Sequence, residues 1–104
     1  MDIAELHHVT LPVSDLEKAG AFYRGVLGLK DIFRPSGRSA SGAWFSVGGQ
    51  QLHLVKNERG AFRQPPVIDQ DDVHFALRVR DFAAAVATLR AHGFREAAAE
   101  GDPM

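Results

Sequence analysis

The chain repeats itself at an offset of 66 residues. At that spacing His8 pairs with His74, Leu11 with Leu77, Val13 with Val79, Asp15 with Asp81, Ala19 with Ala85, Ala21 with Ala87 and Arg24 with Arg90, seven identities over the 17 gapless positions 8–24. With one residue removed, Gly28-Leu29-Lys30 falls on Gly93-Phe94-Arg95. A strand–helix–strand unit that occurs twice explains the pattern with the fewest assumptions. The first copy continues for about 26 residues beyond Lys30, whereas only nine residues follow Arg95. The second copy is therefore expected to lack its last two strands and to leave a sheet edge open, either because the polypeptide was cut or because another chain covers it.

Within the first copy, residues 3–13 are rich in β-branched and apolar side chains and predict a strand. Ser14 with Glu17 three positions later reads as a capping box that opens a helix to about Leu27. That helix should bury Leu16, Ala19, Phe22, Tyr23 and Val26, and Gly28 should end it in a left-handed cap. Strands are expected at about 29–34, 42–48 and 51–56, with Gly48-Gly49 as a tight hairpin turn. The polar stretch 57–71, with its paired prolines, carries no periodicity and reads as a linker. A strand at 72–79, a helix at about 82–92 ended by Gly93, and a short strand from Phe94 complete the second copy. The expected organisation is one domain over 1–104, with a first module at 1–57, a linker at 58–71 and an incomplete second module at 72–104.

Composition bears on function chiefly by exclusion. The chain has no cysteine, which removes disulfides, thiolate metal sites and cysteine nucleophiles. A net charge of −1 gives no basis for binding nucleic acid or a membrane surface. No apolar run approaches the roughly 20 residues of a membrane span, and MDIAELHH lacks the features of a signal peptide. A soluble, cytoplasmic domain is expected.

The five histidines carry the chemistry. Alternation along a strand puts Val9, Leu11 and Val13 on one face and His8, Thr10 and Pro12 on the other. The same rule sets Val73, Phe75, Leu77 and Val79 against His74, Ala76 and Arg78. His53 alternates with Leu52 and Leu54 and so joins the polar row. His8, His53 and His74 then suit one of two descriptions: three imidazoles converging on a divalent ion, or half-exposed strand histidines bonded to backbone. His7 should face away from His8, and His92 sits at a helix C-terminus, where the dipole favours a cation. Trp44, Phe45 and Phe62 are candidates for an apolar pocket or for plain core.

The segment LHHVTLPVSDLEKAGAFYRGVLGLK, residues 6–30, resembles the opening of the vicinal oxygen chelate superfamily, and the resemblance extends through VHFALRV. That superfamily includes glyoxalases, extradiol dioxygenases, fosfomycin-resistance proteins and bleomycin-binding proteins. The resemblance implies an α+β fold of paired βαβββ modules, the second truncated after its helix. It implies His8 and His74 as metal ligands, with His53 where glyoxalase-like members place a ligating Glu. A further Glu ligand would fall at position 119, beyond Met104. Pro12 stands where glutathione-using glyoxalases resemble one another in an Arg, which weakens a glutathione-linked substrate. The implied cofactor is a divalent ion (Zn, Ni, Mn or Fe), and no residue is assigned as the catalytic base. Thr10, Trp44 and Arg78 are expected to contact a small-molecule substrate. The implied function is a glyoxalase-like, metal-dependent lyase or isomerase acting on adjacent oxygens, of the lactoylglutathione lyase type. The alternatives are a metal-free binding protein of the bleomycin-resistance type, a thiol transferase acting on an antibiotic, and an extradiol-type dioxygenase. A homodimer is the expected assembly.

Overall fold

The computed structural model describes residues 1–33, 42–59 and 67–96. Contacts divide the chain into two compact units, Met1–Phe62 and Arg63–Met104. The first holds strand β1 (His8–Val13), helix α1 (Leu16–Gly20), a π-helical continuation (Ala21–Val26) and strands β2 (Lys30–Asp31), β3 (Gly42–Val47) and β4 (Gln50–Lys56). The second holds helix α2 (Phe82–Ala91). The chain is α+β, and its first unit is a βαβββ module.

The four strands form one sheet in the order β1-β4-β3-β2. β4 pairs in parallel with β1 and antiparallel with β3, and β3 pairs antiparallel with β2. Register sorts the side chains into two faces, because directly paired residues point the same way. Val9, Leu52 and Phe45 line up across β1, β4 and β3, as do Leu11, Leu54 and Ala43. This face carries the core, where Phe45, Leu52 and Leu54 are fully buried. The helix covers it: the Tyr23 ring lies 6.3 Å from that of Phe45, and the Arg24 guanidinium sits 5.3 Å over the same ring. Burial pushes the Tyr23 phenol above its ordinary range.

The helix does not start where the capping box predicts. Asp15, and not Ser14, is the N-cap, with its carboxylate accepting from Lys18 N–H at 2.9 Å. Both residue types cap well, but a carboxylate is also favoured by the positive end of the helix. An Asp15→Ala variant should therefore lose about 1 kcal/mol of stability and Ser14→Ala close to none. Equal melting temperatures for the two variants would contradict this assignment.

The repeat is visible in local geometry. Asp81 caps α2 as Asp15 caps α1, accepting from Ala84 N–H at 3.0 Å, and the two caps share the same extended backbone. Gly28 and Gly93 end their helices at φ +72 and +87, where a side chain would be strained. Arg24 binds Asp31 through two hydrogen bonds of 2.6 Å, and Arg90 binds Glu96 at 2.6 Å. The Arg24 guanidinium holds the Asp31 carboxyl below its ordinary range, but both partners are half exposed and the pair adds little stability.

The one-residue gap in the repeat has a structural counterpart. Leu29 N–H bonds the Tyr23 carbonyl six residues back, whereas Phe94 N–H bonds the Leu89 carbonyl five back. The first helix thus absorbs an additional residue by widening into π geometry over Ala21–Val26.

In the second unit the outcome differs from expectation. Residues 74–79 form no strand, although the sequence pattern predicts one over 72–79. Val73 is 81% exposed and Val79 46%. A strand exists only as part of a hydrogen-bonded ladder, and among the described residues no neighbouring strand pairs with this segment. Phe94 likewise begins no strand among the described residues.

Candidate functional site

The sheet face opposite the helix carries the polar row. Here register brings Trp44 of β3 and Thr10 of β1 to either side of His53 on β4, with Gln51 between His8 and Ser46 one pair along. Three rings from three strands stack in a column. Trp44 and His53 lie 4.0 Å apart and 4° from parallel, and His53 and His8 lie 4.1 Å apart and 17° from parallel. His53 is only 7% exposed, and its Nε2–H donates to Gln51 Oε1 at 2.7 Å.

His8 is exposed at the sheet edge, and its Nδ1 lies 2.9 Å from His7 Nδ1. His7 therefore does not turn away from His8; it precedes β1 and meets the His8 ring edge-on, 86° from parallel. When His8 Nδ1 donates in this contact, its lone pair resides on Nε2. His74 belongs to the second unit, where Nδ1–H donates to the Asp72 carbonyl at 2.7 Å and the lone pair again resides on Nε2. An imidazole whose Nδ1–H is held by a carbonyl while Nε2 carries the lone pair is the usual form of a metal-ligating histidine. His74 fits that description; His8, at the equivalent place in the repeat, sets its Nδ1 against the His7 ring instead of a carbonyl.

His8 and His53 share one face, but their stacked rings do not aim lone pairs at a common point. No group of three or more His, Asp or Glu side chains able to hold an ion forms among the described residues. Thr10 stands exposed beside His53 and Trp44 half-buried, whereas Arg78 is exposed in the second unit. Phe45 is core, and Phe62 lies outside the described residues. His92 caps α2 with Nδ1 2.9 Å from the Thr88 carbonyl, as its position at a helix C-terminus suggests. Sequence reasoning missed Gln51. Its signal was the two-residue spacing from His53, which puts both side chains on one face of β4.

A family model for the glyoxalase/bleomycin resistance protein/dioxygenase superfamily matches residues 5–103, and the chain belongs to that superfamily. Among solved structures it is similar to a glyoxalase family protein from Bacillus anthracis, with 24% identity, a TM-score of 0.71 and coverage of 89% of this chain and 73% of the other. It is also similar to a variant of the fosfomycin resistance protein FosX from Listeria monocytogenes, solved with Mn(II) and 1S,2S-dihydroxypropylphosphonic acid, at 20% identity, a TM-score of 0.66 and coverage of 90% and 71%. Lactoylglutathione lyase from Agrobacterium tumefaciens matches at 24% identity and a TM-score of 0.59, over 88% of this chain and 72% of the lyase. At these identities the likeness is one of fold. No curated protein shows significant sequence similarity to the chain. No helix among the described residues is long and apolar enough to cross a membrane.

Proposed function

We propose that the protein is a glyoxalase-like, metal-dependent lyase or isomerase that acts on a small substrate bearing adjacent oxygens, with His8 and His74 as metal ligands. One observation carries the reading: two histidines at equivalent points of an internal repeat each engage Nδ1. His74 donates to a backbone carbonyl, which sets its Nε2 as the ligating nitrogen, and His8 lies against His7, which does the same when His8 is the donor. A FosX variant, which shares the fold, was solved in complex with Mn(II) and 1S,2S-dihydroxypropylphosphonic acid. A bound divalent ion (Zn, Ni, Mn or Fe) supplies Lewis acidity toward two neighbouring oxygens of a substrate. Thr10 offers a hydroxyl to a polar substrate group, Trp44 an aromatic edge and Arg78 a positive charge. The two compact units are taken as two modules, 1–57 and 72–104, joined by 58–71.

Metal analysis by mass spectrometry of the purified protein tests this reading. About one divalent ion per chain is expected, as a single site requires. No ion, even after reconstitution, would refute it. The second reading, a metal-free binding protein of the bleomycin-resistance type, draws on the stacked arrangement of His8, His53 and Trp44, which presents ring faces and not converging nitrogens. It would then stand alone.

A homodimer is part of the proposal. Its motivation is the exposed apolar side chains of the second unit, Val73, Phe82 and Phe94 among them. Size-exclusion chromatography with light scattering should give twice the 11.3 kDa chain mass; a monomer at micromolar concentration would count against it.

A further inference from the structure

We infer that Gln51 is a positioning residue that pins His53 between Trp44 and His8 and makes its imidazole a fixed wall of the site, not a third metal ligand. The inference rests on the metal-dependent reading above and concerns only which side chains of this chain do the ligating.

Three observations converge on it. First, both ring faces of His53 are covered, by Trp44 at 4.0 Å and His8 at 4.1 Å, and the residue is 7% exposed. Second, an imidazole binds an ion in the plane of its ring, at about 2.0–2.1 Å from nitrogen. Two rings stacked 17° from parallel hold their in-plane lone pairs side by side. An ion close to both nitrogens would lie between the planes, where neither ring offers a lone pair. Third, the ring cannot tilt without losing its bond from Nε2–H to Gln51 Oε1, 2.7 Å long, and its contact with Trp44. Gln51 is itself held. It lies on β4, which is paired on both sides, opposite His8 on β1 and Ser46 on β3. His53 is thus a side chain whose ring faces and Nε2 are all engaged.

The test uses the full chain labelled with nitrogen-15, near neutral pH, with Zn²⁺ alone as the probe. In the metal-free protein His53 should show its proton on Nε2 and ring protons shifted by the Trp44 ring current. Gln51→Leu should turn this into a mixture of tautomers and reduce the ring-current shift. Gln51→Glu, which keeps an acceptor, should restore the parent pattern, a rescue that a purely space-filling role would not give. On adding Zn²⁺, the His8 and His74 nitrogens should shift while those of His53 stay in place. His53→Phe, which keeps a flat ring in the stack, should bind Zn²⁺ within about threefold of the parent, against the roughly 10–100-fold that losing even an outer-shell partner costs. A His53 nitrogen that shifts with zinc, a His53→Phe variant weakened tenfold or more, or an unchanged tautomer pattern in Gln51→Leu would each overturn the inference. A parent chain that binds no Zn²⁺ refutes the metal-dependent reading instead, and the metal-free Gln51 comparison then decides the inference by itself.

Discussion

The His8→Ala/His74→Ala double variant is expected to purify with less than about a tenth of the divalent metal held by the parent chain, because direct ligands matter more than the outer-shell groups whose loss costs roughly 10–100-fold in affinity. Each single variant should weaken Zn²⁺ binding by more than that range. The two sites differ in their side effects. His74 is exposed and donates to a backbone carbonyl two residues away, so His74→Ala should leave the melting temperature nearly unchanged. His8 stacks on His53, so His8→Ala should also cost about 0.5–1.5 kcal/mol of stability, the range for an aromatic pair. A double variant that folds and still carries the parent's metal content would exclude these residues as ligands.

Phe45→Ala is expected to be the most destabilising single change in the first unit, at about 3–5 kcal/mol. Phe45 has no exposed surface, lies in register with the buried Leu52, and receives both Tyr23 and Arg24 from the helix. Deleting its ring leaves a cavity beneath the helix, which Tyr23 fills only in part. In a domain of this size such a loss lowers the melting temperature by on the order of 20 °C. Trp44, its neighbour on the opposite face, is half-buried and should cost less when truncated. Chemical denaturation of both variants checks the ranking, and a Phe45→Ala loss below about 1 kcal/mol would show that the core lies elsewhere.

Much of the first unit was legible because its signals are local. Alternation along residues 8–13 placed His8, Thr10 and Pro12 on one face, and Gly28 and Gly48 take the positive φ that ends a helix or turns a hairpin. The capping box erred by one residue because Ser14 and Asp15 are both competent caps. Their competition is settled by where the chain leaves β1 and not by side-chain type. The segment 72–79 has strand-like residues and no strand, because a ladder requires a partner that local sequence cannot supply.

The histidines divide along the same line. That His8 and His74 occupy equivalent positions followed from the 66-residue repeat, and the place of His8 on a polar row from the two-residue period of β1; His74 has no such row, because residues 74–79 form no strand. The one-residue gap before Gly28 was also in the sequence, while its absorption as a π-helical turn depends on how the helix closes onto the Phe45 face. The column of Trp44, His53 and His8, and the bond from His53 to Gln51, could not be read from the chain alone. They arise where β4 lies between β3, its hairpin neighbour, and β1, some 40 residues earlier and parallel to it. Sequence by itself determined which side chains share a face. Only the pairing of strands distant along the chain decided which rings touch, because contact across a sheet is set by register between strands and not by spacing within one.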